Sequence, residues 1–124
     1  MAKVSSYSLE NKLIISEEGK ENIERIALVI HIGLLTLLKN NIISIEESEN
    51  YFFSPYSAEY LKLLNINEKI SELILSACEL ENIESLMPEK MQTAIDEIQN
   101  EAIELFKTIP HPTLPTKKWI DWIK

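Results

Sequence analysis

From residue 17 onward the apolar positions of this chain recur with a helical period. Ile23, Ile26, Ala27, Ile30, Leu34, Leu37 and Leu38 fall three or four residues apart, a spacing that puts side chains on one face of an α-helix. Ser16 suits the cap, and Glu17, Glu18 and Glu21 suit the positive N-terminal turns. The pattern predicts a first helix from residue 17 to about Asn40-Asn41. Residues 27–38 are uncharged throughout, which predicts a central helix enclosed on most sides. That run falls short of the ~20 residues a membrane span requires. Residues 1–16 keep no sustained period, and KLIIS, ending at Ser16, reads as a short strand or an extended arm on the helices.

Ser44-Ile-Glu-Glu47 has the form of a capping box, in which serine and glutamate each satisfy a backbone N–H of the other. A short second helix should start there and run into Tyr51-Phe52-Phe53. Ser54-Pro55 then restarts the chain, because proline suits a first helical turn and serine caps it. The third helix is predicted over about 55–64, with Tyr56, Tyr60, Leu61 and Leu64 on an inward stripe. Asn65 and Asn67 punctuate. Ile70, Leu73, Ile74, Ala77 and Cys78 give the fourth helix its inward stripe. After it, Leu80, Ile83 and Met87 are expected inward while Glu79, Glu81 and Glu84 protrude. Pro88 opens a last helix to about residue 108, with Met91, Ala94, Ile95, Ile98, Ala102, Leu105, Phe106 and Ile109 inward. Three prolines within residues 110–115 then force an extended arm, followed by a short tail bearing Trp119 and Trp122.

This reading gives an all-α fold: one domain, a bundle of five to six helices around a central apolar helix. Residues 1–16 form an arm, 17–109 the helical core, and 110–124 a proline-rich arm with its tryptophan tail. Composition agrees with that class. The chain has 124 residues, 45% of them hydrophobic, and only two glycines, so a single core can form and tight hairpins are disfavoured. One cysteine, Cys78, excludes an intramolecular disulfide, and no secretory leader is evident. A cytoplasmic location is expected.

Charge changes the picture most. Twenty acidic against twelve basic residues give a net charge of −8, which repels nucleic-acid phosphates and anionic lipid alike. No direct nucleic-acid partner and no membrane partner are expected. Residues 51–109 carry eleven acidic and four basic groups, whereas 110–124 carry one and three. An acidic face steers a basic partner towards it. Glu46, Glu47 and Glu49, with Glu79, Glu81 and Glu84, form one patch if their two segments lie side by side.

Catalytic material is sparse. Only two histidines occur: His31, expected as a hydrogen-bonded core side chain, and His111, expected as a solvated loop residue between prolines. No Glu-x-x-His pair, Gly-rich phosphate loop or calcium-loop pattern is present. Arg25 is the sole arginine, so no guanidinium cluster can clamp phosphate. Cys78 lies on an inward stripe, where a thiol is an inert small hydrophobe. No enzyme activity, cofactor or metal is expected.

The order Ile43-Ser-Ile-Glu-Glu47, Phe53-Ser-Pro-Tyr56 and Glu79-Leu-Glu-Asn-Ile-Glu-Ser-Leu-Met-Pro88 resembles a family of small acidic bacterial proteins catalogued as of unknown function. Its members occur as immunity proteins beside contact-delivered or secreted toxins, and the resemblance spans roughly residues 20–108. It implies a cytoplasmic protein that binds and blocks a cognate toxin domain, commonly a basic nuclease. The candidate toxin-binding residues are Glu46, Glu47, Glu49, Glu79, Glu81 and Glu84, with Tyr51 and Tyr56 as aromatic anchors, on a chain monomeric until the toxin binds. The alternative is a helical adaptor or regulatory module that binds another protein or forms a homodimer.

Overall fold

The computed structural model describes residues 19–110. The expected arm at 1–16, the cap at Ser16, His111 and the tryptophan tail lie outside the described residues. Every regular element among the described residues is helical: α1 Lys20–Lys39, α2 Ile45–Tyr51, α3 Pro55–Leu63, α4 Glu68–Cys78, α5 Leu80–Leu86 and α6 Met91–Thr108, with a 3₁₀ turn at Pro88–Lys90 before α6. Four of these helices have nine residues or more, and α2 and α5 are seven-residue segments. The bundle is carried by the four longer helices, where five to six were expected.

Local chemistry sets the boundaries. Gly19 caps α1 with φ 90, a left-handed conformation open to glycine at no steric cost, so α1 begins at Lys20 and not at Glu17. Asn41 and Asn65 take φ 56 and 60 just past α1 and α3, the left-handed conformation that asparagine tolerates at helix ends. Ser44 Oγ accepts from the Glu47 N–H at 3.0 Å, and Ser54 Oγ from the Ser57 N–H at 3.2 Å. Asn67 Oδ1 accepts from the Lys69 N–H at 2.9 Å and so caps α4. The Asn67 N–H itself donates to Oε2 of Glu24, at 2.6 Å. That bond gives the buried Glu24 carboxylate a partner and ties α1 to the start of α4. Pro88, expected at the head of the last helix, opens the 3₁₀ turn instead.

α1 and α6 pack antiparallel along their lengths. At one end Arg25 Nη1 donates to the Ile109 carbonyl at 2.8 Å, with its guanidinium 4.1 Å from the centroid of the Phe106 ring. In the middle Gln99 Nε2 donates to the Ile32 carbonyl and to Thr36 Oγ1. At the far end Lys39 pairs with Asp96 at 2.6 Å. α3 and α4 form a helical hairpin, closed by Ser71 Oγ donating to the buried Ala58 carbonyl at 3.0 Å. Leu28, Leu35, Phe53, Ile70, Ile74, Leu80 and Ile95 make the fully enclosed centre.

α1 is central but less enclosed than its uncharged run suggests. Its buried face is Glu24, Ala27, Leu28, His31, Leu34, Leu35 and Leu38, together with Ile26. Val29, Gly33 and Thr36 form an exposed strip along the opposite side. Because Arg25 joins a cation–π contact to a charge-assisted hydrogen bond at the Ile109 carbonyl, Arg25→Leu should cost about 1–2 kcal/mol. A urea titration should show this as a lower midpoint with an unchanged slope.

Candidate functional site

α2 and the corner between α4 and α5 lie within electrostatic range of each other, for Glu49, Glu79 and Glu81 all act on Cys78. Glu46 and Glu47 stand in the first turn of α2, where the helix dipole favours them. Glu79 ends α4 and begins α5, so the chain bends there, and the fully buried Leu80 anchors the bend. Glu81, just past that bend, lies close enough for its charge to act on Glu49. Partial burial, then the charge and hydrogen bond of Glu81, then the charge of Glu46, raise the Glu49 carboxyl above its ordinary range. Asn82 Nδ2 donates to Glu79 Oε2 at 2.8 Å and orients that carboxylate.

The carboxylate of Glu47 turns along α2, away from the expected reciprocal bond to Ser44, and accepts from the Tyr51 hydroxyl at 2.6 Å. That bond raises the pKa of Tyr51 and holds its exposed ring over the end of α2. Glu84 is exposed one turn beyond Glu81 on α5. Glu49 thus feels the charges of Glu81 and Glu46, Cys78 those of Glu49, Glu79 and Glu81, and Glu47 pairs with Tyr51 on α2.

Tyr56 belongs elsewhere. It and Tyr60 were expected inward, but they are 76% and 53% exposed, their rings stacked at 6.3 Å and 18°. The inward positions of α3 are Ala58 and Leu61, and the aromatic core residue of the whole segment is Phe53. Leu64 and Met87, also expected inward, are 41% and 40% exposed. Tyr56 and Tyr60 instead line an apolar groove of about 300 Å³ between α3 and the first half of α1, floored by Ile23, Ala27 and Ile30. Periodicity alone missed this groove; the apolar residues on every side of α3 were its signal.

No nucleophile is activated here. Cys78 is half-buried, and burial first, then Glu49 and Glu79, push its thiol up and keep it protonated. His31 is in the core, but contrary to expectation neither ring nitrogen has a hydrogen-bond partner, and burial lowers its pKa to about 4. Among the described residues, no group of three His, Cys, Asp or Glu side chains is placed to hold a metal ion. A concavity of about 730 Å³ between α4 and α6 is an open groove edged by Lys69, Glu72, Glu101 and Glu104.

Removing one partner of the Glu49–Glu81 pair has a defined pH signature. A carboxyl whose pKa is raised by folding binds protons more tightly in the folded state, so the pair opposes folding at neutral pH and less so as pH falls. Glu81→Gln should move the Glu49 titration back towards the ordinary range, followed by carboxyl NMR. It should also stabilise the protein at pH 7 by at most about 0.5 kcal/mol, the scale of a solvent-screened pair. An unmoved Glu49 titration would show that the two carboxyls do not interact.

Residues 18–121 match the family described as protein of unknown function DUF3969. The match takes in the whole described bundle and most of the tail. No curated protein and no solved structure matches the chain. Among the described residues no helix is long and apolar enough to cross a membrane.

Proposed function

We propose that this chain, which belongs to the DUF3969 family, is a non-catalytic immunity protein that blocks the basic active site of a bacterial toxin domain, a nuclease by preference. What supports the reading is the chain's net charge of −8 together with the repulsion of Glu49 by Glu81 and Glu46. Like charges held together on a surface oppose folding, and such an arrangement is useful when a cationic partner neutralises it. A nuclease site is cationic because it holds phosphate. An acidic helical surface can therefore cover it and exclude the substrate, with no bond made or broken by the inhibitor.

On this reading Glu46, Glu49, Glu79 and Glu81 form the centre of the contact, Glu47 and Glu84 its edge, and Tyr51 an aromatic anchor of the kind enriched at interfaces. Mixing the purified chain with the toxin domain encoded beside it should abolish toxin activity at one-to-one stoichiometry. Toxin activity that persists in stoichiometric excess of the chain contradicts the proposal, as does a neighbouring gene for a metabolic enzyme in place of a cationic toxin.

The apolar groove with its stacked tyrosines favours a second reading, a helical adaptor or homodimer. Sedimentation at several concentrations separates the two. A monomer until toxin is added fits immunity, and a dimer insensitive to salt fits the adaptor.

A further inference from the structure

We infer that the C-terminal tail of this same chain, through Trp119 and Ile120, docks into the apolar groove between α1 and α3. The groove is one of the most hydrophobic exposed regions of the bundle, with Tyr56, Tyr60 and Leu64 as its outer wall. Exposed apolar surface of this kind is usually covered by something. Four observations select the tail.

The first is where the described chain ends. Arg25 holds the carbonyl of Ile109 and touches that of Pro110 at 3.5 Å. Arg25 lies level with the groove residue Ile26 and on the far flank of α1, so the tail has only one helix to cross. A helix with its side chains is about 10–12 Å wide, and the nine residues from Pro110 to Trp119 reach up to about 30 Å when extended. The prolines at 110, 112 and 115 favour that extension. The second observation is the path itself. Val29, 42% exposed, and Gly33, with open space above it, lie on the side of α1 that the tail must cross.

The third is charge. Residues 110–124 carry three lysines and one aspartate, net +2, so the other 109 residues carry −10 of the total of −8. A basic tail is drawn onto an acidic body. Residues 1–18, the competing segment, carry two lysines and three glutamates, net −1, and gain nothing from that field. The fourth is the family match, which begins at residue 18 and runs to 121. It leaves out the N-terminal segment and includes Trp119 and Ile120.

The tail carries both tryptophans of the chain, so intrinsic fluorescence of the full-length protein reads the tail directly. In a Trp122→Phe variant, Trp119 should emit at short wavelength, with an acrylamide quenching constant several-fold below that of free N-acetyl-tryptophanamide. Tyr60→Lys together with Leu64→Lys, both at exposed positions, should red-shift the emission and raise the quenching constant several-fold while the far-ultraviolet circular dichroism stays unchanged. Ile42→Lys, an exposed apolar control beyond the other end of α1, should leave the emission in place. Trp119 as accessible as the free probe in the parent protein would overturn the inference. So would protection that survives the groove substitutions, which puts the tail elsewhere, or protection that fades on dilution, which puts a second copy in the groove. The inference does not depend on the acidic residues around Glu49, and its failure would leave the immunity reading standing.

Discussion

Phe53→Ala should lower the free energy of unfolding by about 3–5 kcal/mol, the cost of removing a fully buried ring and leaving a cavity. Phe53 is 1% exposed and sits where the chain turns from α2 into α3. Its N–H donates to the Ser48 carbonyl at 2.9 Å, which fixes the turn. Its ring meets His31 edge-on at 5.1 Å and 70°, and Phe52 at 6.2 Å. One side chain therefore joins the corner of the small helices to the middle of α1. Domains of this size have only about 5–15 kcal/mol in hand, so the loss is about a fifth of the total or more. A urea titration should show the midpoint fall with an unchanged slope. Leu86→Ala, at a position 76% exposed, should stay within about 0.5 kcal/mol of the parent. Equal midpoints for Phe53→Ala and the parent would mean that the corner is not part of the core.

The second large effect is acid destabilisation through His31. The ring is 1% exposed, neither nitrogen is hydrogen-bonded, and burial lowers its pKa from 6.5 to about 4. Between those values the unfolded chain takes up a proton that the folded chain refuses. Stability is therefore fully present above pH 6.5 and is lost as pH falls towards 4, by about 3 kcal/mol in all. His31→Leu removes that slope. It also replaces two unsatisfied buried polar atoms with an apolar group of similar size, which should stabilise the protein at pH 7 by about 1–3 kcal/mol. Thermal melts from pH 7 to pH 4 should show the parent falling away from the leucine variant across this window. Parallel melting curves would show that the imidazole has a partner or reaches water.

The helix starts were legible because caps act locally. Ser44, Ser54 and Asn67 each bond an N–H two or three residues ahead, and nothing distant is needed to recognise them. The inward faces of α4 and α6 were legible too, since each carries a single apolar stripe with polar residues opposite. α3 failed that test. In nine residues it has Tyr56, Ala58, Tyr60, Leu61 and Leu63 spread around the helix, and period alone cannot choose among them. The choice was made by tertiary packing, where the small Ala58 lets α4 come close enough for Ser71 to reach its carbonyl. The start of α1 failed for a different reason. Gly19, with φ 90, stands at the N-cap of the described helix, and Ser16 lies outside the described residues.

The acidic residues were legible as two runs of glutamate and not as one surface. Whether the two runs would come within electrostatic range of each other depended on how the corner at Glu79 packs, which no spacing predicts. The missing partner of His31 is likewise a property of the assembled core. Tyr56 shows the converse. It was expected on an inward stripe and as an aromatic anchor, and it lines the groove on α1.

The central claim is that the surface around Glu46, Glu49 and Glu81 is what a cationic toxin domain binds. Titrating that domain with the parent chain and with the Glu46→Lys, Glu49→Lys, Glu81→Lys triple variant, at low and at physiological salt, tests it most directly. The account predicts an affinity lower by about a hundredfold in the variant, or roughly 2.7 kcal/mol. It also predicts a parent association rate that falls as the screening length shortens to about 8 Å. A triple variant that binds and inhibits like the parent, at a rate indifferent to salt, would contradict it.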